Sequence, residues 1–422
     1  IPIPAGPNDP RRQAIAAVVG ELERLGIATG YQTILVACGL ARRSSQRELE
    51  TLVPPELARR FHGRVVVHDA EDPELVVIGE HEGIPLRVNP ALVETELAVL
   101  VTAAETVVHG GPAVLLAATG AESQRATAGG SLLVTAGSPA WARARAVERE
   151  VARRVPLIGV SLVLNHPQLS GWARGYPYEA DALERIARSP FRHAYAALPA
   201  GVRQQVLRGL PVDLTAAGAY GGPPSVAHAE ALLRAVELRR ADLDRPLDAL
   251  VIGIPRATPY LPRERPNPLL AAFLGLGFAM RLWRDASPVV EGGTAILLHR
   301  FHRHFEAPTQ VPYRTFFQLA RNGLAGDAEA AAVADERAIQ HYRAGRSCHP
   351  LLPFRDWDVC SASAARLGSV LIGGCRDATA ARQLGFVPVH GVAPALEIAR
   401  GRGAERIGFL LSPPYFPIRV GS

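Results

Sequence analysis

The sequence predicts an α/β protein of two domains, each with a mostly parallel, doubly wound sheet, and an active-site cleft between them. Three observations carry that reading. At 422 residues the chain is longer than one ordinary core organises. Short apolar runs alternate with segments of helical period along most of its length. Those runs are apolar throughout, as strands covered by helices on both faces are.

Taken in order, residues 11–25 place Ile15, Val18, Val19 and Leu22 at helical spacing and stop at Gly26. The run 33–38 (T-I-L-V-A-C) is a strand, and 45–52 a second amphipathic helix. Residues 64–68 (R-V-V-V-H) form a strand ending in polar H-D-A, 74–79 and 84–88 a hairpin, and 97–102 a further strand. Helix 140–154 leads into strand 156–164. Between 166 and 227 Gly/Pro/aromatic segments flank short helices, the texture of an insertion or lid. The domain boundary is placed at 240/241. Strands 249–254, 293–298, 370–373, 386–389 and 407–411, with helices 269–283, 361–367, 378–384 and 393–400, complete the second sheet. Polar residues at the carboxyl ends of such strands are where open α/β sheets build sites, which singles out residues 39–42 and His68-Asp69.

Composition narrows the function classes. Apolar residues make up 48% and charged residues 20% of the chain, the balance of a compact protein. The net charge is +6, yet no lysine occurs, so arginine carries every fixed basic side-chain charge. The arginines are interspersed with acids and lack the aromatic-laced basic stripe of a nucleic-acid binder. No apolar stretch reaches the ~18–20 residues of a membrane span. Cys38, Cys348, Cys360 and Cys375 form no C-x-x-C and read as free thiols of a reducing, cytoplasmic compartment. The opening I-P-I-P is expected to follow a missing upstream segment. Oligomeric state is open.

The stretches T-I-L-V-A-C-G-L-A-R-R-S-S (33–45), V-H-D-A-E-D-P-E-L (67–75) and V-N-P-A-L-V-E-T-E-L (88–97) resemble the nickel-pincer lactate racemase family in order and spacing. So do V-V-E-G-G-T-A-I-L-L (289–298) and V-L-I-G-G-C-R-D (370–377). The resemblance implies a 2-hydroxy-acid racemase or epimerase, an isomerase in which a nickel-pincer nucleotide takes a hydride from C2 of the small-molecule substrate and returns it to either face. Two histidines exchange the hydroxyl proton, a task for groups titrating near neutrality. His68 matches the first, and His109, beside Gly110-Gly111-Pro112, is the candidate for the second. Arg42, Gly110 and Gly111 are the cofactor-binding candidates. His166, in N-H-P, is the candidate nickel ligand, and His302 and His304 stand as substrate-binding residues.

Departures from the family are equally specific. Its cofactor-bonding lysine after the glycine-rich turn is missing, so the cofactor is expected to be held noncovalently if present. Ala41 and Arg43 replace the histidine and proline of the G-L-H-R-P box. No histidine lies between His109 and His166. The helix expected to carry a substrate-facing glutamine and lysine is the apolar 267–273, and the D-x-T-R-P box expected before residue 1 is absent from this sequence. The alternative is a relative that has lost the nickel cofactor and serves as a small-molecule binding protein or acts on another substrate.

Overall fold

In the computed structural model, residues 9–50, 52–125, 129–176, 178–209, 212–255, 265–305, 308–319, 326–411 and 415–421 are described. The second half holds a five-stranded, wholly parallel sheet. Calling its strands by chain order after the seven of the first half, β8 (Leu247–Gly253), β9 (Val289–Leu298), β10 (Ser369–Gly373), β11 (Val387–Val389) and β12 (Ile407–Leu410) lie in the order β11-β10-β9-β8-β12. The order reverses at β8, so the switch point of this doubly wound sheet lies between β8 and β12.

Alternation along β8 sorts the two faces. Ala249 and Val251 join a cluster with Ala395 and Ala399 of the helix Val392–Gly401. Leu250 and Ile252 face the larger cluster built from 268–280, the helix Val311–Leu319 and the helix Leu352–Ala364. Both faces are therefore covered, as the unbroken apolar runs require.

The first half departs from the single sheet that was expected. Strands β1 (Thr33–Val36) and β2 (Arg64–Val67) pair in parallel, β3 (Val76–His81) and β4 (Ile84–Val88) form a hairpin, and β5 (Ala98–Ala103), β6 (Leu157–Leu164) and β7 (Ala216–Gly222) form a mixed sheet. β7 corrects the reading of 218–224 as an irregular binding loop. Its A-A-G-A-Y-G-G sequence has poor strand propensity, but it pairs antiparallel along β6, and at Gly159 of that strand a Cβ would lie 2.6 Å from the Pro224 backbone. The inserted part is thus shorter, with helices Ala180–Arg188, Phe191–Ala197 and Ala200–Gly209.

Two further differences bear on the site. The expected helix 269–283 is Pro268–Ala272 followed by a π-helical segment, Phe273–Phe278, and a 3₁₀ turn. Here Gly275 packs so closely that a Cβ would stand 2.5 Å from Leu297 Cδ2. The stretch after 305, unread in the sequence, contains the helix Glu336–Arg343, which docks on the first half.

Candidate functional site

The strand ends of β1 and β2 carry the most family-like boxes, and the chain's own second half closes them. Tyr342, wholly buried, donates its hydroxyl hydrogen bond to the Gly39 carbonyl (3.1 Å) and accepts one from the Ala70 N–H (3.1 Å). Arg343 Nε donates to Asp69 Oδ2 (3.0 Å), and Arg43 bonds the Arg343, Val67 and His68 carbonyls. His349, also fully buried, lies 2.9 Å from Glu71 Oε1 through Nε2.

His68 sits within this closure. Its ring is 0% exposed, with Nε2 2.8 Å from the Thr119 carbonyl and Nδ1 3.4 Å from Asn89 Nδ2. Burial lowers its pKa, so the neutral form donating from Nε2 is favoured. Both ring nitrogens of His68, the candidate first acid/base, face protein groups in this structure. Arg42 is likewise taken, bonding Glu48 Oε1 at 2.6 Å and the Arg43 carbonyl at 3.0 Å.

Gly110 and Gly111 have φ of +106° and +52°, the left-handed backbone that favours glycine. A Cβ on either would meet the His228 ring or its Cβ at 2.4–2.5 Å. The space that Gly110 and Gly111, the candidate cofactor-binding glycines, open on this side is filled by His228. His228 is fully buried on the helix Pro224–Arg239, with Nδ1 3.1 Å from Ser161 Oγ and Nε2 3.0 Å from the Thr106 carbonyl; burial depresses its pKa to about 4. The sequence reading missed it, although its phase with the buried Ala231, Leu232 and Ala235 places it on the packed face.

A different set of groups gathers where β5, β6 and β8 end. His109 is half-buried, its Nδ1 2.9 Å from Thr106 Oγ1 and its ring edge-on to Phe278 at 6.4 Å. Phe278 ends the π-helical segment, a geometry often found at functional sites, and contacts Tyr415 at 6.3 Å. Tyr415 donates to the carbonyl of Gly253, at the switch point (2.8 Å). Its neighbour Phe416 packs on His166 (5.9 Å) and Tyr178 (5.5 Å), and His166 stacks on Tyr178 at 4.0 Å. The Tyr178 hydroxyl has no hydrogen-bond partner among the described residues. Desolvation holds His109 at about 3 and His166 at about 4, with Arg355 and Arg239 respectively adding to the shift. Both imidazoles are neutral across the neutral range.

An open groove of about 500 Å³ lies along the seam between the halves, lined by Glu71, Glu122, Arg125, Glu329, Val333 and Leu351. Arg125 is neutralised there by Glu329 (2.6 Å) and Asp358. His302 and His304 lie exposed on the loop after β9.

The nickel-pincer nucleotide can be tested against these groups. Arg42 is ion-paired, the glycine turn is filled by His228, no lysine exists, and no group of three or more potential metal ligands occurs among the described residues. The residues present do not fit the cofactor as that family holds it.

Residues 7–109 match the family model described as the lactate racemase N-terminal domain. The structure of the lactate racemase apoprotein from Thermoanaerobacterium thermosaccharolyticum aligns with a TM-score of 0.57 at 13% identity, covering 99% of this chain and 84% of that one. A structural-genomics protein from Thermotoga maritima aligns at 0.49 with 12% identity, over 96% of this chain and 89% of that chain. No curated protein matches the sequence. At such identities the structural likeness establishes the fold, and residues 7–109 are similar to the lactate racemase N-terminal domain.

Proposed function

We propose that the protein is a cytoplasmic, divergent lactate racemase relative that binds a small 2-hydroxy acid, or its 2-keto counterpart, in a cleft between domains 1–240 and 241–422, without a lysine-held cofactor. The observation that carries this reading is the pairing of two histidines with a run of aromatic rings at the ends of β5 and β6. His109 and His166 stand at the two ends of an aromatic wall running through Phe278, Tyr415 and Phe416, half-buried and held neutral by desolvation. A neutral imidazole nitrogen accepts a hydrogen bond from a substrate hydroxyl. Phe416 and Tyr178, half-buried beside His166, supply an apolar surface suited to a substituent larger than methyl.

A second reading, a racemase or epimerase with a noncovalently held nickel-pincer nucleotide, is favoured by His166, whose neutral form is the one that ligates metals. Calorimetric titration of the protein with both enantiomers of lactate and phenyllactate, and with pyruvate, tests the first reading. Binding without nickel, weakened at least about tenfold in His109→Gln or His166→Gln, supports it. Nickel near one equivalent, with the cofactor's visible absorption after co-production with cofactor-synthesis enzymes, supports the second. Neither binding nor nickel sinks both.

A further inference from the structure

We propose that the carboxyl edge of β9, β10 and β11 is a binding site for a phosphate-bearing small molecule, separate from the aromatic cleft, with Arg300 and Arg376 as its cationic arms. Three loops meet there. The Arg376 N–H bonds the Arg300 carbonyl (2.7 Å), the His299 N–H bonds Gly373 (3.2 Å), and the N–H groups of Gly374 and Cys375 bond Val389 (2.8 and 3.0 Å). The loops after three neighbouring strands are thereby stitched into one surface.

Phe301 sets how the first loop is presented. It is 0% exposed, packs on Phe386 at 6.2 Å and holds φ at +52°, an uncommon backbone for a bulky residue. Anchored there, it leaves Arg300, His302, Arg303 and His304 exposed, joined by exposed Arg376 and His390 from the other loops. The carboxylate of Asp377 is already committed to Arg303 (2.7 Å) and to capping Ala380 (3.0 Å). Arg300 and Arg376 have no side-chain hydrogen bond or ion pair among the described residues, unlike Arg42 and Arg125.

The chemistry selects the ligand. Adjacent strands stand ~4.8 Å apart, so the edge from β9 to β11 spans roughly 10 Å, room for a phosphate or diphosphate group approached from both sides. Guanidinium forks bind phosphate oxygens bidentately. The ten-residue helix Val392–Gly401 starts at Gly391 with no side-chain cap and adds the N–H groups of Val392 and Ala393, Pro394 having none, and its positive dipole end. Among the described residues the patch carries no exposed Phe, Tyr or Trp, so a small anion fits it better than a nucleic-acid strand. The proposal is independent of what the aromatic cleft binds.

The test is calorimetric titration of the intact protein with inorganic phosphate, pyrophosphate and citrate at about 0.02 and 0.15 M salt. Pyrophosphate is expected to bind with one-to-one stoichiometry, and R300Q/R376Q to lose at least about tenfold in affinity with an unchanged thermal midpoint. Arg234→Gln, on the exposed face of the helix Pro224–Arg239, is expected to bind as the unsubstituted protein does. Amide shifts on adding pyrophosphate are expected at Gly374 and Gly391, which needs no substitution. No heat and no shifts at these loops would overturn the proposal. Equal loss in R234Q, or citrate binding as tightly as pyrophosphate, would reduce it to diffuse charge attraction and overturn it as well.

Discussion

The ends of β1 and β2 and the ends of β5, β6 and β8 are both places where an α/β protein builds a site, and they have taken opposite courses. At the first, Tyr342, Arg343 and His349 fill the crevice and satisfy its polar groups. At the second, histidines and aromatic rings gather, and a tyrosine hydroxyl stays unsatisfied. At the first place the family-like boxes form a structural joint, closed by Tyr342 and Arg343. A polar group already bonded by the protein must break those bonds before it can serve a ligand, and a buried break costs more than a new contact returns.

Four measurements press on this contrast. Tyr342→Ala removes a buried ring and two hydrogen bonds from the closed crevice and is expected to cost about 3–5 kcal/mol in denaturant unfolding; Tyr342→Phe is expected to cost about 1–2 kcal/mol. A ring that could be deleted cheaply would mean the crevice is open in solution. His68→Ala is expected to lower stability by roughly 2–3 kcal/mol while leaving hydroxy-acid binding intact in the fraction that stays folded. Loss of binding at full stability would return His68 to the site.

Acid is the third probe. His109 and His228 hold folded values near 3 and 4, below the unfolded value of about 6.5. The unfolded chain thus binds more protons between those limits, and stability is present above about pH 6.5 and lost as pH falls towards 4. The slope approaches at most ~1.4 kcal/mol per pH unit for each such histidine. His228→Gln should flatten the urea midpoint against pH over this window, and an unchanged profile would show that His228 titrates normally. The smallest effect is expected for Arg42→Ala, a partly exposed pair with Glu48: under about 1 kcal/mol and no change in ligand binding.

Much of the second half was legible in the sequence because its signals are local. The runs 249–254, 370–373 and 407–411 fall within two residues of β8, β10 and β12, since a strand buried on both faces must be apolar along its length. β7 was not legible, because glycine and alanine carry no strand preference and its place depends on β6 beside it. The π-helical segment has an ordinary helical pattern, and only the close approach of Gly275 to Leu297 marks it. His166 and His109 were found by their positions after strands, whereas, Tyr178 apart, their aromatic neighbours Phe416 and Phe278 lie about 250 and 170 positions away. Tyr342 carried no local signal; its role exists only when two strand ends some 270 and 300 residues earlier are in place.

That separation has a consequence for how the molecule is made. β1 and β2 are a pair of four-residue strands, and a two-stranded sheet is marginal by itself. Their end loops are tied down by Tyr342, so during synthesis the first 70 residues wait for the ribosome to deliver the last fifth of the chain. Protease nicking around β1 and β2 in ribosome-bound chains is expected to persist until residues beyond 349 emerge, well after β5 and β6 have gained protection.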